Sequence, residues 1–311
     1  MHAKIAVDIG GLKLKNPVMV CSGTFGYADE FKDLLDLKKL GAIVTKTITL
    51  RPRQGNPPPR TCETPSGLLN SIGLENPGLE DFLKEKLPFL KRLSLPIIIS
   101  IASESGADEF LQLTRRLDKV KEVAAIELNI SCPNIKNSKP LIQNPKLISQ
   151  SPRDTYGLVR AVRRQTGKTI ITKLTPNVTD IAEVALAAES AGSDAISLIN
   201  TVTGMSIDIE SRRPRIAAAT AGLSGPAIRP VAVRMVWEVY NKVKIPIIGM
   251  GGIMNARDAL EFFIAGSTAV SLGTVNFIEP KAALQVISGV KEYLARHRLS
   301  DIKMLVGSLK R

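Results

Sequence analysis

The chain is poor in histidine, with two in 311 residues, and both, His2 and His297, stand near an end of the sequence. A multi-histidine metal centre or a His-based triad is hard to assemble from these, so acid–base chemistry falls to other side chains. Three cysteines, Cys21, Cys62 and Cys132, lie far apart and form no Cys-x-x-Cys pair. That spacing argues against an iron–sulfur cluster or a structural zinc site in this chain, and no metal is expected. Aromatics make up only 4% of the residues, and none interleaves with a basic patch to form a base-stacking platform for nucleic acid. No apolar run approaches a membrane span, and the opening Met1-His2-Ala3-Lys4 is too polar to begin a secretory signal. These absences predict a cytoplasmic protein that engages neither membrane nor nucleic acid.

What the chain does have is a formal charge of +13 and 44% hydrophobic residues, enough to bury a sizeable core. Lys and Arg alternate with Leu, Val and Glu in segments such as 82–92 and 111–121, as on solvated helix faces. An anionic small ligand or an acidic protein partner accounts for the charge more simply than nucleic acid does.

Short apolar runs recur, each followed by a longer segment of helical period, which is the signature of βα units and a parallel sheet. Eight strands are expected at Val18 to Cys21, Ala42 to Lys46, Ile97 to Ile101, Ala125 to Asn129, Ile170 to Leu174, Ala195 to Asn200, Pro246 to Gly249 and Ala269 to Leu272. Helices are expected at Glu30 to Lys39, Gly78 to Leu93, Ala107 to Lys121, Asp154 to Gln165, Asp180 to Ala191, Ile228 to Lys242, Ala256 to Ala265 and Pro280 to Arg296. Thr179 and Asn255 read as helix starts, and Gly192 and Gly266 as helix ends. The fold class is therefore α/β, a closed (β/α)8 TIM barrel read as one domain over residues 1–311. A doubly wound sheet is second, because Ser22-Gly23-Thr24-Phe25-Gly26 stands where a Gly-x-Gly-x-x-Gly turn would follow the first strand. Two connections, Thr47 to Pro77 with its Asn56-Pro57-Pro58-Pro59 run and Thr201 to Ala227, exceed plain βα loops and read as lids or binding loops at the C-terminal face. Ser300 to Arg311 reads as a basic tail or a short extra helix.

The expected strand ends are polar: Ser22, Lys46, Asn129 with Cys132, Lys173, and Asn200 with Thr201. A strand-end lysine is ordinarily solvated, but two on one face can hold an anion, stabilise negative charge at a reducing centre, or form a Schiff base. Glycine clusters at 222–225, 249–252 and 273 fall after strands six, seven and eight, and the two after strands seven and eight stand where barrels of this kind bind phosphate through backbone N–H groups. Asn70 in the first long loop, with Asn129 and Asn134, offers amides suited to a planar ligand such as a pyrimidine ring. Cys132 can act as nucleophile or base.

Asn129-Ile130-Ser131-Cys132-Pro133-Asn134, Asn70-Ser71-Ile72-Gly73-Leu74, Lys173-Leu174-Thr175-Pro176-Asn177, Gly222-Leu223-Ser224-Gly225-Pro226 and Gly249-Met250-Gly251-Gly252 occur together and in order along nearly the whole chain. In these stretches the sequence resembles the class 1 dihydroorotate dehydrogenases, flavin enzymes of pyrimidine synthesis. The resemblance implies one FMN at the strand C-terminal ends, its phosphate near Gly251, Gly252, Gly273 and Thr274. Ser22, Lys46, Thr47, Asn129, Lys173, Ile199 and Gly225 match positions lining the flavin. Ser100 stands where the 1B pattern has an asparagine, keeping an oxygen and losing the amide. Dihydroorotate would be contacted by Lys46, Asn70, Ser71, Ile72, Gly73, Leu74, Asn129, Asn134, Asn200 and Thr201, with Cys132 matching the catalytic base and orotate the product. Glu63-Thr64 and the segment 70–78 look like the 1B type. That type implies a homodimer of this chain in a heterotetramer with an FAD and [2Fe–2S] subunit that passes electrons to NAD. A fumarate-linked 1A homodimer and a flavin-free Schiff-base lyase are the alternatives. The segment 135–140 lacks the paired glycines of the pattern.

Overall fold

The computed structural model describes residues 3–104, 106–131 and 147–310. A hairpin of β1 (Val7–Ile9) and β2 (Leu12–Leu14) leads into β3 (Val18–Val20) and β4 (Ala42–Val44). The first long connection carries a hairpin of β5 (Thr61–Thr64) and β6 (Gly67–Asn70), followed by β7 (Ile97–Ile101), β8 (Val123–Asn129), β9 (Thr169–Lys173) and β10 (Ala195–Leu198). The second carries β11 (Val202–Gly204), β12 (Ile207–Asp208), β13 (Arg213–Pro214) and β14 (Ala221–Ser224), before β15 (Ile247–Gly249) and β16 (Ala269–Leu272).

Eight of these strands close a barrel in the order β10-β15-β16-β3-β4-β7-β8-β9. Every neighbouring pair in it is parallel. This is the expected (β/α)8 architecture. Strands buried on both faces must be apolar throughout, and β7, Ile-Ile-Ile-Ser-Ile, is buried at all five positions. Around the barrel, the helix Ala107–Asp118 buries Phe110, Leu113, Thr114 and Leu117 at helical spacing, the stripe that packs it inward. One cluster of buried apolar side chains runs from Ile5 to Leu305 and joins the strands to the helices.

Several local expectations are corrected. No α-helix forms over 30–39: Asp36 turns its carboxylate onto the N–H of Lys38, and two 3-10 turns, Asp29–Phe31 and Leu37–Lys39, take the place of a helix. The fifth barrel helix, Ile181–Ser190, is capped by Asp180 rather than Thr179, through the N–H groups of Ala182 and Glu183. Asn255 does cap Ala256–Ala265, and Gly266 ends it at φ +128°. The C-terminal segment makes one 3-10 turn, Ile302–Met304, and pairs Asp301 with Lys4. The two long connections are not plain loops. Their strands join in one antiparallel sheet, β11-β14-β6-β5, in which Asn70 pairs with Gly222. Among the described residues no helix is long and apolar enough to cross a membrane.

Candidate active site

Between the C-terminal ends of the barrel strands and the antiparallel sheet lies a cavity of about 930 Å³, within the range of cofactor and small-molecule sites. Polar residues at or just beyond the strand ends, among them Ser22, Lys46, Asn129, Lys173 and Asn200, form the floor.

Lys173 ends β9 with its side chain 6% exposed, and its ammonium donates to Ser22 Oγ at 3.2 Å, across the barrel on the turn after β3. Asn129 ends β8, directly beside Lys173 in the strand register. Its Nδ2 donates to Thr47 Oγ1 at 3.0 Å, and Ser131 Oγ donates to its Oδ1 at 3.2 Å. Ser131 in turn accepts from Asn200 Nδ2 at 3.0 Å, and the Oδ1 of Asn200 accepts from the Thr201 N–H at 2.8 Å. This chain of bonds fixes which way both amides face, because each oxygen and nitrogen is committed on one side. The remaining donor and acceptor capacity is available to a ligand.

Opposite, three glycine turns converge. A side chain at Gly251 would lie 2.9 Å from Ala232 Cβ, and one at Gly252 would lie 2.7 Å from the Gly225 carbonyl, with φ at +124° and +77°. Both requirements, positive φ and close approach of neighbouring chain, exclude other residues. Thr274 Oγ1 donates to Ser224 Oγ at 2.8 Å, which ties the turn after β16 to the end of β14.

Cys21, just after β3, was not expected at the site and also lines the cavity. Its thiol lies 3.3 Å from the Ser271 carbonyl and 3.9 Å from Met250 Sδ. Burial pushes this thiol up, outweighing the Lys173 ammonium, so it stays protonated at neutral pH. At the rim, burial pushes up both the Tyr27 phenol and the Glu30 carboxyl, with neighbouring carboxylates adding to each. Burial also opposes ionisation of Asp29, but hydrogen bonds with Glu30 and Lys86 outweigh it and hold this carboxyl low.

The cavity brings together Ser22, Lys46, Thr47, Asn129, Lys173, Ile199, Asn200 and Thr201 from the strand ends. The long loop adds Asn70, Ile72, Gly73 and Leu74, and the glycine side adds Gly225, Gly251, Gly252, Gly273 and Thr274. Two expected residues stand behind the wall. Ser100 is fully buried with its hydroxyl 2.9 Å from that of Thr47, so it supports Thr47 instead of lining the cavity. Ser71 is buried too, its hydroxyl accepting from Asn56 Nδ2 at 2.8 Å. Cys132 and Asn134 lie outside the described residues. Besides Cys21, the sequence reading missed Tyr27, Glu30, Arg53, Met250 and Phe277. Met250 was legible in principle, since it sits inside the glycine cluster. Among the described residues no group of three His, Cys, Asp or Glu side chains could hold a metal ion.

A barrel with an ammonium and oriented amides on one side of its mouth and a glycine cradle on the other narrows the candidates sharply, and sequence comparison completes the assignment. The chain belongs to the dihydroorotate dehydrogenase family, whose sequence model matches residues 4–294. Relatives named "Dihydroorotate dehydrogenase B (NAD(+)), catalytic subunit" extend over essentially all of it. That of Geotalea daltonii is 52% identical over 306 residues, covering 98% of each chain. That of Trichlorobacter lovleyi is 52% identical over 309 residues and 99% of each, and that of Desulforudis audaxviator is 52% identical over 311 residues, 100% of this chain and 99% of its own.

Proposed function

We propose that this chain oxidises dihydroorotate to orotate in pyrimidine biosynthesis, as the FMN-bearing catalytic subunit of an NAD-linked enzyme, with residues 1–311 forming one FMN-binding barrel domain. The observation that carries the reading is the single cavity where Lys173, Asn129, Asn200 and the glycine turns meet, in a chain 52% identical to relatives of that name.

The residues fit FMN. Gly251 and Gly252 leave a cradle that a Cβ could not share with its neighbours, as close approach of a phosphate to backbone requires. Gly225, Gly251, Gly252, Gly273 and Thr274 would hold the phosphate. Ser22, Lys46, Thr47, Asn129, Lys173 and Ile199 would line the ring, with Ser100 acting behind Thr47. When bound, FMN supplies the acceptor for the hydride that leaves C6 of dihydroorotate. Lys173 sets a positive charge where negative charge accumulates on reduction. Asn70, Ile72, Gly73 and Leu74, with Ser71 behind them, close over the substrate and exclude water. Lys46, Asn129, Asn134, Asn200 and Thr201 hold its ring carbonyls, N–H groups and carboxylate. Cys132 Sγ accepts the proton from C5 as the ring double bond forms. Cys132 follows Ser131, whose hydroxyl is already bound into the amide network. A partner subunit carrying FAD and a [2Fe–2S] cluster would take the electrons to NAD, with two copies of this chain in the assembly, in the cytoplasm.

Purified protein is expected to be yellow, to bleach on anaerobic addition of dihydroorotate, and to co-purify with an FAD and iron–sulfur chain when the two are co-expressed. Cys132→Ala is expected to bind FMN normally and bleach by orders of magnitude more slowly. A protein that stays colourless after expression with ample riboflavin would sink the proposal.

A further inference from the structure

The strand β8 is apolar from Val123 to Leu128 except at Glu127, whose side chain is 2% exposed. Strand alternation puts Glu127 on the same face as Asn129, one layer deeper in the barrel. Its Oε2 accepts from Ser197 Oγ at 3.3 Å, and its Oε1 lies 3.8 Å from Lys173 Nζ. That Oε1 has no hydrogen-bond partner among the described residues. The ammonium of Lys173 thus stands between Ser22 at the cavity wall and Glu127 below it. Removing one partner of a buried ion pair is costly, because the other is left without its compensating charge. Cys21 on the turn after β3 is a further titratable side chain that feels both charges, and it stays a neutral thiol.

We propose that Glu127 is a positioning residue: its carboxylate is the buried counter-charge that holds the Lys173 side chain against the cavity, placed for the negative charge of a reduced ring. The last clause rests on the flavin reading above; the ion pair does not. Because Lys173 borders the cavity and Glu127 lies beneath, a ligand ring meets the positive member first. The carboxylate acts only through the lysine.

The test compares wild type with Glu127→Gln, Lys173→Met and the double variant, by thermal melting near neutral pH and by dithionite titration of the bound FMN against a reference dye. Each single substitution strands one buried charge, so the double variant is expected to melt above at least one single variant. In Glu127→Gln the lysine is no longer held at the cavity wall, so the FMN potential is expected to fall from the wild-type value toward that of Lys173→Met. Glu127→Asp keeps the charge and is expected to retain the wild-type potential, which a purely steric role does not predict. Additive melting losses, or an unchanged potential in Glu127→Gln, overturn the proposal. Failure of wild type to bind FMN falls on the flavin reading, and the melting cycle then decides the ion pair by itself.

Discussion

The floor and the roof of the cavity are built on different principles. The floor is eight parallel strand ends, and its polar groups Lys173, Glu127, Asn129 and Ser131 are all buried, Lys173 paired with Glu127 on the neighbouring strand and Ser131 bonded to Asn129. The roof is an antiparallel sheet assembled from two excursions, held by its own backbone ladder and by the ion pairs Arg53–Glu104 and Arg60–Glu75. Rigid, desolvated charge is what electrostatic stabilisation of a reaction needs, and a separately built cover is what admission and orientation of a substrate need. The contrast assigns chemistry to the floor and fit to the roof.

Substitutions can break that division. The largest effect is expected from the floor: Lys173→Met should lower kcat about 100- to 1000-fold, the range for removing one electrostatic donor, in steady-state dihydroorotate oxidation with an artificial acceptor. Asn70→Ala in the roof should act mainly on KM, raising it about tenfold for the loss of one hydrogen bond. A larger loss in kcat than in KM there would erase the distinction. A rim residue sharpens it through pH. Tyr27 has its phenol raised by burial above 10.0, so its contribution to stability is full below that value and is lost as pH climbs through the folded one. Tyr27 Oη has no hydrogen-bond partner among the described residues, so Tyr27→Phe should match wild type at neutral pH. Above pH 10.0 it should keep its melting temperature while wild type declines. The smallest effect is expected from Glu104→Gln, which removes one half-exposed ion pair of the roof; the change should be at most about 1 kcal/mol in urea unfolding and should vanish at high salt.

The barrel was legible because its strands are buried on both faces and so announce themselves as apolar runs; Ile97 to Ile101 and Ala269 to Leu272 are placed to the residue. The strand-end lysines and glycine turns were legible for the complementary reason, since polar or glycine residues interrupt those runs at one end. The roof was not. Thr61–Thr64 and Ala221–Ser224 are four residues each; the first pairs in a local hairpin with Gly67–Asn70, and the second joins that hairpin from far away in the chain. Ser100 reads as a site residue only through the family resemblance, where the 1B pattern has an asparagine, yet its hydroxyl is spent on Thr47. Glu127 stood in plain view as a charge inside an apolar run, but its partner sits on the next strand, and pairing across strands is not written in either segment.

The ladder between β6 and β14 has a consequence for the order of assembly. Asn70 Nδ2 reaches the Gly222 carbonyl across 152 positions of sequence. Closing so long a loop is entropically unfavourable until intervening strands have already brought its ends together. The barrel strands between the two excursions are therefore expected to pair before the cover does, and the cavity is complete only once barrel and cover have met. Any ligand held between the two stabilises that contact selectively, and occupancy of the cavity should show itself first as slower opening of the roof.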